Sequence, residues 1–293
     1  MRAVFLAAVL FATSVLAETP IDERTAADPD GRVEISNVSG SVEVVGSNRD
    51  EVHVSGHLGK GTERLEFERD GSTVRVNVIL EKKKKHRHVD DTDLLVSVPE
   101  GSRLTVTTVS AEIDIRGVAG SQRLQSVSGD IDTRAMDEDV EAKTVSGNVT
   151  VEGSGKSALL ALTSVSGDIA VEDVAGEVIA TVVSGDIEVS TDKLARARIK
   201  TTNGDVDLVA GLEQGARFEV ETINGDLEIE FRGDVDAEFD IETFNGSIDN
   251  CFGPDPVRTS KYAPGKELRF REGDGSARVL IKTLNGGINI CRD

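Results

Sequence analysis

The sequence predicts an all-β protein: a parallel β-solenoid of 18–21-residue coils, with an N-terminal β module and a C-terminal hairpin cap. Three observations lead to this fold. A short turn motif recurs at a nearly fixed interval, and apolar residues alternate with polar ones on both sides of it. The chain also has no Trp and only one Tyr. An elongated core of Val, Ile and Leu fits a composition so poor in aromatic residues.

The first seventeen residues have the pattern of a secretory signal peptide. Arg2 precedes an apolar run that ends at Leu16, and small residues lead to a predicted cleavage after Ala17. The run is too short for a membrane-spanning helix. We therefore expect an exported protein that is not transmembrane, located in the periplasm, at the cell surface or outside the cell. Residues 18–30 are assigned to a linker.

Residues 31–100 are predicted to form a β module that caps one end of the repeats. They contain the first copy of the turn motif, NVSGSV at residues 37–42. Four strand-like segments follow, at residues 51–58, 63–69, 73–80 and 93–98. Caps of this kind are expected because the ends of a solenoid expose unpaired strands.

One basic run interrupts this module and suggests a loop that grips anionic glycan or phospholipid. Its cationic residues are Lys82, Lys83, Lys84, Lys85 and Arg87. However, four acidic residues flank them, so residues 81–93 sum to 5 − 4 = +1 with neutral His. A solvated hairpin loop is the preferred interpretation, and anion binding is the alternative.

Residues 101–250 are predicted to be the coils of the solenoid. The hexapeptide SVSGDI occurs at residues 126–131 and again at 164–169, and variants of it continue to TLNGGI at 283–288. Alternation with period two marks strands with one buried face. Each coil then has two strands, a tight Ser/Asn-Gly turn and a looser corner, wound in the right-handed sense. Nine motifs from Ala111 onward would stack to about 40 Å.

Glycine is expected at the turn because a sharp bend between strands favours a positive φ, which Gly adopts without steric cost. The turn residues are Gly129, Gly147, Gly167, Gly185, Gly204, Gly225, Gly246 and Gly286. Ala111 departs from this rule, so a distorted turn is expected there. Later coils place Asn before the Gly, where stacked amides can form hydrogen bonds along a column: Asn203, Asn224, Asn245 and Asn285.

An acidic residue follows the turn Gly on successive coils, at Asp168, Asp186, Asp205 and Asp226. Neighbours in such a column would repel by roughly 1 kcal/mol in water, so something must offset the repulsion. The preferred interpretation is that each carboxylate accepts a hydrogen bond from a turn N–H. The alternative is a weak Ca²⁺-binding edge, although Ca²⁺ prefers several oxygen ligands per ion. No other metal and no cofactor are predicted.

The two cysteines each lie five residues after a turn glycine, in equivalent places in their coils. On adjacent coils the Cα atoms of Cys251 and Cys291 would be about 5 Å apart, within disulfide range. With one coil between them no bond could form, and the spacing permits either arrangement. We predict a disulfide because an exported protein meets an oxidising compartment. Residues 252–278 would then be an excursion, and residues 251–293 a last coil and cap with a hairpin around residues 273–276.

The charge balance argues against a nucleic-acid partner. Lys and Arg number 33 against 53 Asp and Glu, a net charge of −20, whereas binding phosphates needs a basic face. Nucleophile and phosphate-loop motifs are also missing from the sequence, so no enzymatic activity is expected. The alternative is a polysaccharide-acting lyase or hydrolase on a β-helix scaffold. Phe252, Tyr262 and Phe270 would then be available to stack on sugar.

The signal peptide, the SGDI and NGDL repeats and the C-terminal segment ARVLIKTLNGGINIC together resemble the bacterial putative-adhesin family of β-strand-repeat proteins. The resemblance covers about residues 31–293 and lies in the architecture, with no catalytic residues to carry over. It implies an exported β-solenoid tied to the cell envelope or surface. We therefore expect an adhesin-like or structural protein that binds an envelope polymer, a surface polymer or a protein through a repetitive acidic surface.

Overall fold

The computed structural model describes residues 19–81, 89–136, 138–260 and 264–293. Every helix or strand within these ranges is a β-strand, so the all-β prediction is confirmed. The predicted signal peptide, the basic residues Lys82, Lys83, Lys84, Lys85 and Arg87, and Tyr262 lie outside the described residues.

The N-terminal part is organised around one long strand, β2, with the following bounds: β1 (Thr19–Ala26), β2 (Arg32–Ser47), β3 (Glu51–Leu58), β4 (Thr62–Asp70), β5 (Thr73–Leu80), β6 (Thr92–Pro99) and β7 (Arg103–Arg116). One edge of β2 pairs in parallel with β7, and the other pairs in parallel with β5 and β6. The four strand-like segments of the sequence are β3 to β6. Antiparallel pairs join β3 to β6 and β4 to β5.

The segment assigned to a linker, residues 18–30, instead contains strand β1. This strand pairs antiparallel with β3 over eight residues, and its Ile21 is buried. Arg69 Nη1 also donates a hydrogen bond of 2.9 Å to the Ala26 carbonyl. The physical reason is that β1 satisfies the N–H and C=O groups of β3, which would otherwise form an open sheet edge.

The central strands pair in parallel with their equivalents one repeat later. Their bounds are β8 (Gln122–Gln125), β9 (Ile131–Arg134), β10 (Val140–Ser146), β11 (Val149–Glu152), β12 (Ser157–Ser166), β13 (Ile169–Glu172), β14 (Ala175–Ser184), β15 (Ile187–Asn203), β16 (Val206–Asn224) and β17 (Leu227–Phe231). For example, β10 pairs with β12, and β11 with β13. We call the strand segments on both sides of one Ser/Asn-Gly turn, or of the equivalent Ser110-Ala111 corner in β7, a rung. Equivalent residues of adjacent rungs lie side by side.

At the C-terminal end, the spatial order of the rungs differs from the chain order. The strands are β18 (Ala237–Asn245), β19 (Ile248–Asn250), β20 (Val257–Arg258), β21 (Lys266–Glu272), β22 (Ala277–Asn285) and β23 (Ile288–Arg292). The last rung, β22/β23, pairs on one side with β16/β17 and on the other with β18/β19. The final rung of the sequence is thus inserted between two earlier ones.

The predicted C-terminal hairpin is wrong, because β21 and β22 do not pair with each other. They flank β18 on opposite sides, β21 antiparallel and β22 parallel. The reason is burial: β22 turns Val279 and Ile281 inward and needs the stack on both sides, whereas β21 buries only Leu268. Residues 273–276 therefore carry the chain across the rung of β18.

The interior is filled by Val, Ile and Leu, with aromatic rings gathered at the C-terminal end. Phe218, Phe231 and Phe239 are buried there. Phe270 stacks on Phe239 with ring centroids 4.5 Å apart, and Phe252 meets both rings edge-on. Phe252 and Phe270 are therefore partly buried parts of this cluster rather than free platforms for sugar.

The turn glycines are required by the neighbouring rung more than by φ. A Cβ at any of the eight positions would lie only 1.8–2.5 Å from the carbonyl oxygen of the adjacent turn. The expected positive φ, here 148–156°, is present at five of them: Gly167, Gly185, Gly204, Gly225 and Gly286. At Ala111, β7 passes through the corner without interruption, because Ala111 pairs with Gly40 of β2.

The two cysteines form a disulfide between adjacent rungs. Cys251 follows β19, Cys291 lies in β23, and their Cα atoms are 4.9 Å apart. The backbone N–H of Cys251 donates to the Ile290 carbonyl at 3.0 Å. The insertion of the last rung is what brings the two residues together, and the excursion between them contains β20 and β21.

Substitution Gly129→Ala should lower the free energy of unfolding by about 3 kcal/mol, because its Cβ would overlap a backbone carbonyl that cannot move freely. That carbonyl oxygen, of Ala111, is 2.1 Å from the Cβ position. The control is Gly215→Ala, where φ is +77° but no atom lies within 4 Å. It should cost only about 1 kcal/mol. Urea unfolding checks both values, and an equal loss in the two variants would contradict the close-approach explanation.

Replacing both cysteines by Ser should lower the free energy of unfolding by about 4 kcal/mol, because the bond closes a loop of about 40 residues. Thermal unfolding with and without reductant measures the effect. The double variant should be insensitive to reductant. Labelling of free thiols in the unreduced wild-type protein would contradict the assignment.

Candidate binding surface

The turn edge of the stack carries parallel columns of chemically similar side chains. Each rung places its residues beside the equivalent residues of the next rung, so one position of the turn motif becomes one column. Three columns are exposed along this edge: an apolar column, a Ser/Asn column and an acidic column. A fourth, of Thr and Ser, is buried beneath them.

The apolar column follows from strand alternation. The first motif residue points inward, as Thr144 does, and the second, such as Val145, points outward. The outward side chains are 41–51% exposed, and we call them the apolar stripe: Val109, Val127, Val145, Val165, Val183, Ile223, Leu284 and Phe244. Thr202 occupies the same column between Val183 and Ile223.

The apolar stripe is large for a surface feature. It runs over nine adjacent rungs, about 40 Å at the usual spacing between strands. Eight half-exposed apolar side chains amount to several hundred Å², comparable with the largest apolar patch on a typical monomer, about 300–600 Å². Such a patch usually marks an interaction site. The second residue of the repeated motif is apolar in most copies, which is the sequence signal for this stripe. The sequence-based interpretation did not assign these residues to a surface.

At the C-terminal end, the stripe borders a groove of about 620 Å³. Val183, Ile223, Phe244 and Leu284 contribute its apolar wall. Ion pairs form the opposite wall, with Lys200 Nζ 2.8 Å from Glu221 Oε2 and Lys282 Nζ 3.8 Å from Glu242 Oε2. The groove is thus apolar along one side and charged along the other.

Beneath the stripe, the buried hydroxyl column anchors most turns to their neighbours. Thr201 Oγ1 donates to the Gly185 carbonyl at 3.3 Å, and Thr243 Oγ1 donates to that of Gly286 at 3.0 Å. The same bond recurs from Thr144, Ser164, Thr222 and Thr283. This explains why Thr or Ser begins most copies of the motif, a role that the sequence pattern alone did not reveal.

The Asn residues before the turn glycines form a ladder of side-chain hydrogen bonds. Asn224 Nδ2 donates to Asn203 Oδ1 at 2.8 Å, and Asn285 Nδ2 donates to Asn224 Oδ1 at 2.8 Å. Asn245 then donates to Asn285 at 3.1 Å. The predicted column is therefore present, in the spatial order of the rungs rather than the order of the chain.

The Asp residues after the turn glycines form a second ladder, in which each carboxylate accepts a backbone N–H from the next rung. The Oδ1 of Asp168 accepts from Asp186 N at 2.9 Å, and that of Asp186 accepts from Asp205 N at 2.8 Å. Asp205 and Asp226 continue the series to Gly287. Asn148 fills the same position between Asp130 and Asp168 with its amide oxygen.

The Asp ladder agrees with hydrogen-bonded turns, the preferred interpretation of the acidic column. Each bond from an N–H offsets part of the repulsion between neighbouring carboxylates. Within the part of the chain that the structure describes, no group of three His, Cys, Asp or Glu residues is placed to hold a metal ion. The Ca²⁺-binding edge stays a prediction.

On the strand face beside the stripe, ion pairs connect adjacent rungs. Arg198 Nε donates to Glu219 Oε2 at 2.9 Å, and Lys200 Nζ lies 3.1 Å from Glu219 Oε1. The hydrogen bond from Lys200 lowers the pKa of Glu219, whereas bonds to Glu221 and Glu219 raise the pKa of Lys200. In the same way, Lys143 lowers the pKa of Glu141.

The profile described as Toastrack DUF4097 matches residues 31–240, more than half of the chain. The chain belongs to the Toastrack DUF4097 family. The match includes the repeats on which the resemblance to the putative-adhesin family was recognised, and that recognition is confirmed. No curated protein matches the chain.

Several solved structures are similar to this Toastrack chain. One is a "putative adhesin" from Bacteroides fragilis, 13% identical with a TM-score of 0.46, covering 94% of this chain and 98% of the other. Another, from Parabacteroides distasonis and also called a "putative adhesin", has 9% identity, a TM-score of 0.41 and coverages of 94% and 98%. A "putative lipid binding protein" from the same species has 15% identity, a TM-score of 0.36 and coverages of 94% and 97%.

Among the residues described for this Toastrack chain, no helix is long and apolar enough to cross a bilayer.

Substitution Asp205→Asn should keep the ladder bond and raise the melting temperature at low salt, because it removes charge repulsion while Asn148 shows that an amide fits the column. Substitution Asp205→Ala should instead cost about 1 kcal/mol, since it leaves the Asp226 N–H without its acceptor. Thermal unfolding at low and high ionic strength measures both.

The same melts with millimolar Ca²⁺ or chelator test the cation-binding alternative. Wild-type protein should be unaffected by either addition. A Ca²⁺-dependent rise in melting temperature that Asp205→Asn abolishes would show that the acidic column binds the cation.

Proposed function

We propose that this Toastrack protein is an exported, non-enzymatic binding protein of the cell envelope or cell surface, adhesin-like, which contacts a protein partner through the apolar stripe. The observation that carries the proposal is the stripe itself: outward apolar side chains recur in one column over nine adjacent rungs. A soluble protein exposes so long an apolar column at a cost unless a partner covers it.

The scaffold we infer for this role is a right-handed parallel β-solenoid of 18–21-residue coils. Its support is the in-register parallel pairing of successive repeats from β7 to β17 and onward to β22/β23. Residues 31–100 and 251–293 would act as its two caps. The rigid scaffold would hold the stripe straight. The caps would cover the unpaired edges of the terminal strands and so prevent them from pairing with other chains.

The chemistry of the stripe favours a protein over a glycan. Its side chains are aliphatic apart from Phe244, whereas sugar recognition relies on exposed aromatic faces. The Asp ladder runs parallel to the stripe, three residues further along each turn. A complementary partner would therefore present an apolar surface bordered by basic residues. An envelope polymer is the competing partner and is an outcome of the test below.

A second candidate function is a polysaccharide-acting enzyme, which one cleft favours. The cleft has a volume of about 790 Å³ and contains Asp173, Asp192, Lys193 and Arg232. Asp173 has a φ of 53°, the only positive φ of a non-Gly residue among those described, and backbone strain of this kind occurs at active sites. Arg232 Nη1 lies 3.5 Å from Asp192 Oδ1, so the two charges already partner each other.

The triple variant Val183→Thr/Ile223→Thr/Leu284→Thr should lose at least tenfold in affinity for isolated cell envelopes. Threonine is chosen because Thr202 already occupies the column. The matched control is Leu95→Thr/Leu159→Thr/Val257→Thr, three exposed apolar residues outside the stripe. It should bind like wild type. Sedimentation of the mature proteins with envelopes measures retention.

Two further readouts separate the alternatives. Protease treatment of the envelopes should lower wild-type retention to that of the stripe variant, because the proposed partner of the stripe is a protein. Wild-type retention that stays above that of the stripe variant after protease would indicate that the stripe binds a polymer instead. New reducing or unsaturated chain ends released from a polysaccharide panel would overturn the non-enzymatic proposal, and the cleft around Asp173 would become the site to mutate. Equal loss in the control variant would refute the role of the stripe.

A further inference from the structure

Three arginines stand in one column on the strand face of this acidic protein. Arg196 pairs in register with Arg217, and Arg217 with Arg278, on three adjacent rungs. All three are exposed. At about 4.8 Å per rung, the guanidinium groups span roughly 10 Å along the stack. Arg217 lies six residues before Ile223 of the apolar stripe, about 20 Å away along the strand.

Two of these arginines, Arg217 and Arg278, are not neutralised in the way that other cations on this face are. Elsewhere an arginine stands beside an acid of the adjacent rung, as in the pairs Arg123–Glu141 and Arg198–Glu219. In the column, Arg196 Nη1 is 3.0 Å from Glu177 Oε1 at one end. Among the described residues, Arg217 and Arg278 have no ion pair or side-chain hydrogen bond.

The acid beside Arg278 on the adjacent rung is already engaged. Glu238 is the in-register neighbour of Arg278, but its carboxylate pairs with Arg271 on the opposite strand. Two adjacent guanidinium groups therefore face solvent side by side. Like charges at this separation repel by roughly 1 kcal/mol in water, and by more where the dielectric is lower. An anion that bridges them would remove this penalty.

The column borders a groove that concentrates positive charge. Its volume is about 370 Å³, and its charged lining residues are Arg196, Arg198, Arg217, Arg278 and Glu219. Arg196 pairs with Glu177 and Arg198 with Glu219, so Arg217 and Arg278 leave 1 + 1 = +2 at this groove, on a chain whose net charge is −20. Arginine is well suited to such a site because its planar fork binds carboxylate and phosphate groups bidentately.

We propose that Arg196, Arg217 and Arg278 form a binding site for an anionic glycan with repeated carboxylate or phosphate groups. The groups to be bound are distributed along the column rather than converging on one point, so an extended chain running along the stack satisfies them better than a single ion. This site is separate from the apolar stripe and does not rest on the protein partner proposed above.

The experiment compares polygalacturonate, which repeats a carboxylate, with phosphomannan, which repeats a phosphate, and with neutral dextran. Binding to the mature protein is measured by calorimetry. At least one anionic polymer should bind and dextran should not, and the polymer that binds identifies the anionic group. The variant Arg217→Gln/Arg278→Gln should weaken that binding tenfold or more. Removing two unpaired charges should leave the melting temperature unchanged or raise it, so loss of folding will not obscure the result.

Matched controls separate a site from bulk charge. Arg24→Gln/Arg49→Gln removes the same charge near the N-terminus and should bind like wild type. Arg217→Lys/Arg278→Lys keeps the charge without the planar fork and should show an intermediate loss. The stripe variant should retain full polymer binding, so that failure of one proposal is distinguishable from failure of the other.

Four outcomes would overturn the proposal. These are no binding of either anionic polymer, equal weakening in the Arg24/Arg49 control, full competition by millimolar inorganic phosphate, and equally strong binding of single-stranded DNA. The third would indicate a site for a single ion, and the fourth would indicate recognition of charge density without regard to the glycan.

Discussion

The close approach of stacked turns is the constraint on which the rest of this structure depends. Every turn glycine lies so near the carbonyl of the adjacent turn that a methyl group would overlap it. At that distance the backbone N–H and C=O groups of one turn need partners from the next, because unpaired polar groups are costly when they are shielded from water. The buried hydroxyls and the Asp carboxylates supply such partners, and the Asn amides form hydrogen bonds with one another, each in its own column.

Because register is conserved from rung to rung, a single choice of residue is repeated over tens of ångströms. The candidate binding surfaces of this protein are therefore columns of side chains rather than a pocket. An apolar line, an acidic line and a short basic line lie on neighbouring parts of one surface. Their chemistry differs, but each is straight, regularly spaced and held by the sheet beneath it. A surface of this kind suits extended or repetitive partners, which gain from many weak contacts in register.

Much of the fold could be predicted from local pattern, and its failures concern which strands pair with each other. Period-two alternation and the recurring Gly located the strands and the turns, and the Asn column followed from the same alignment. The hairpin of β21 and β22 failed because strand pairing is decided by which faces need burial, not by proximity in sequence. The spatial order of the last rungs could not be predicted, since the motif copies around Gly246 and Gly286 have similar sequences. The alignment contained the apolar residues of the stripe, but only the structure shows that the side chains of Val145 and its equivalents are exposed in one column.

The insertion of the final rung also holds the C-terminal strand between two other rungs. Most β-stacks can fray inward from a free terminus, one strand at a time, because the terminal strand has a neighbour on one side only. Here β23 has a neighbour on each side, and the strands on the outer flank, β18 to β21, come earlier in the chain. The C-terminus cannot peel away unless that outer layer opens first. The Cys251–Cys291 disulfide links this outer layer covalently to the final rung. Lengthening the stack by duplication is accordingly easiest in its middle, where rungs follow one another in chain order.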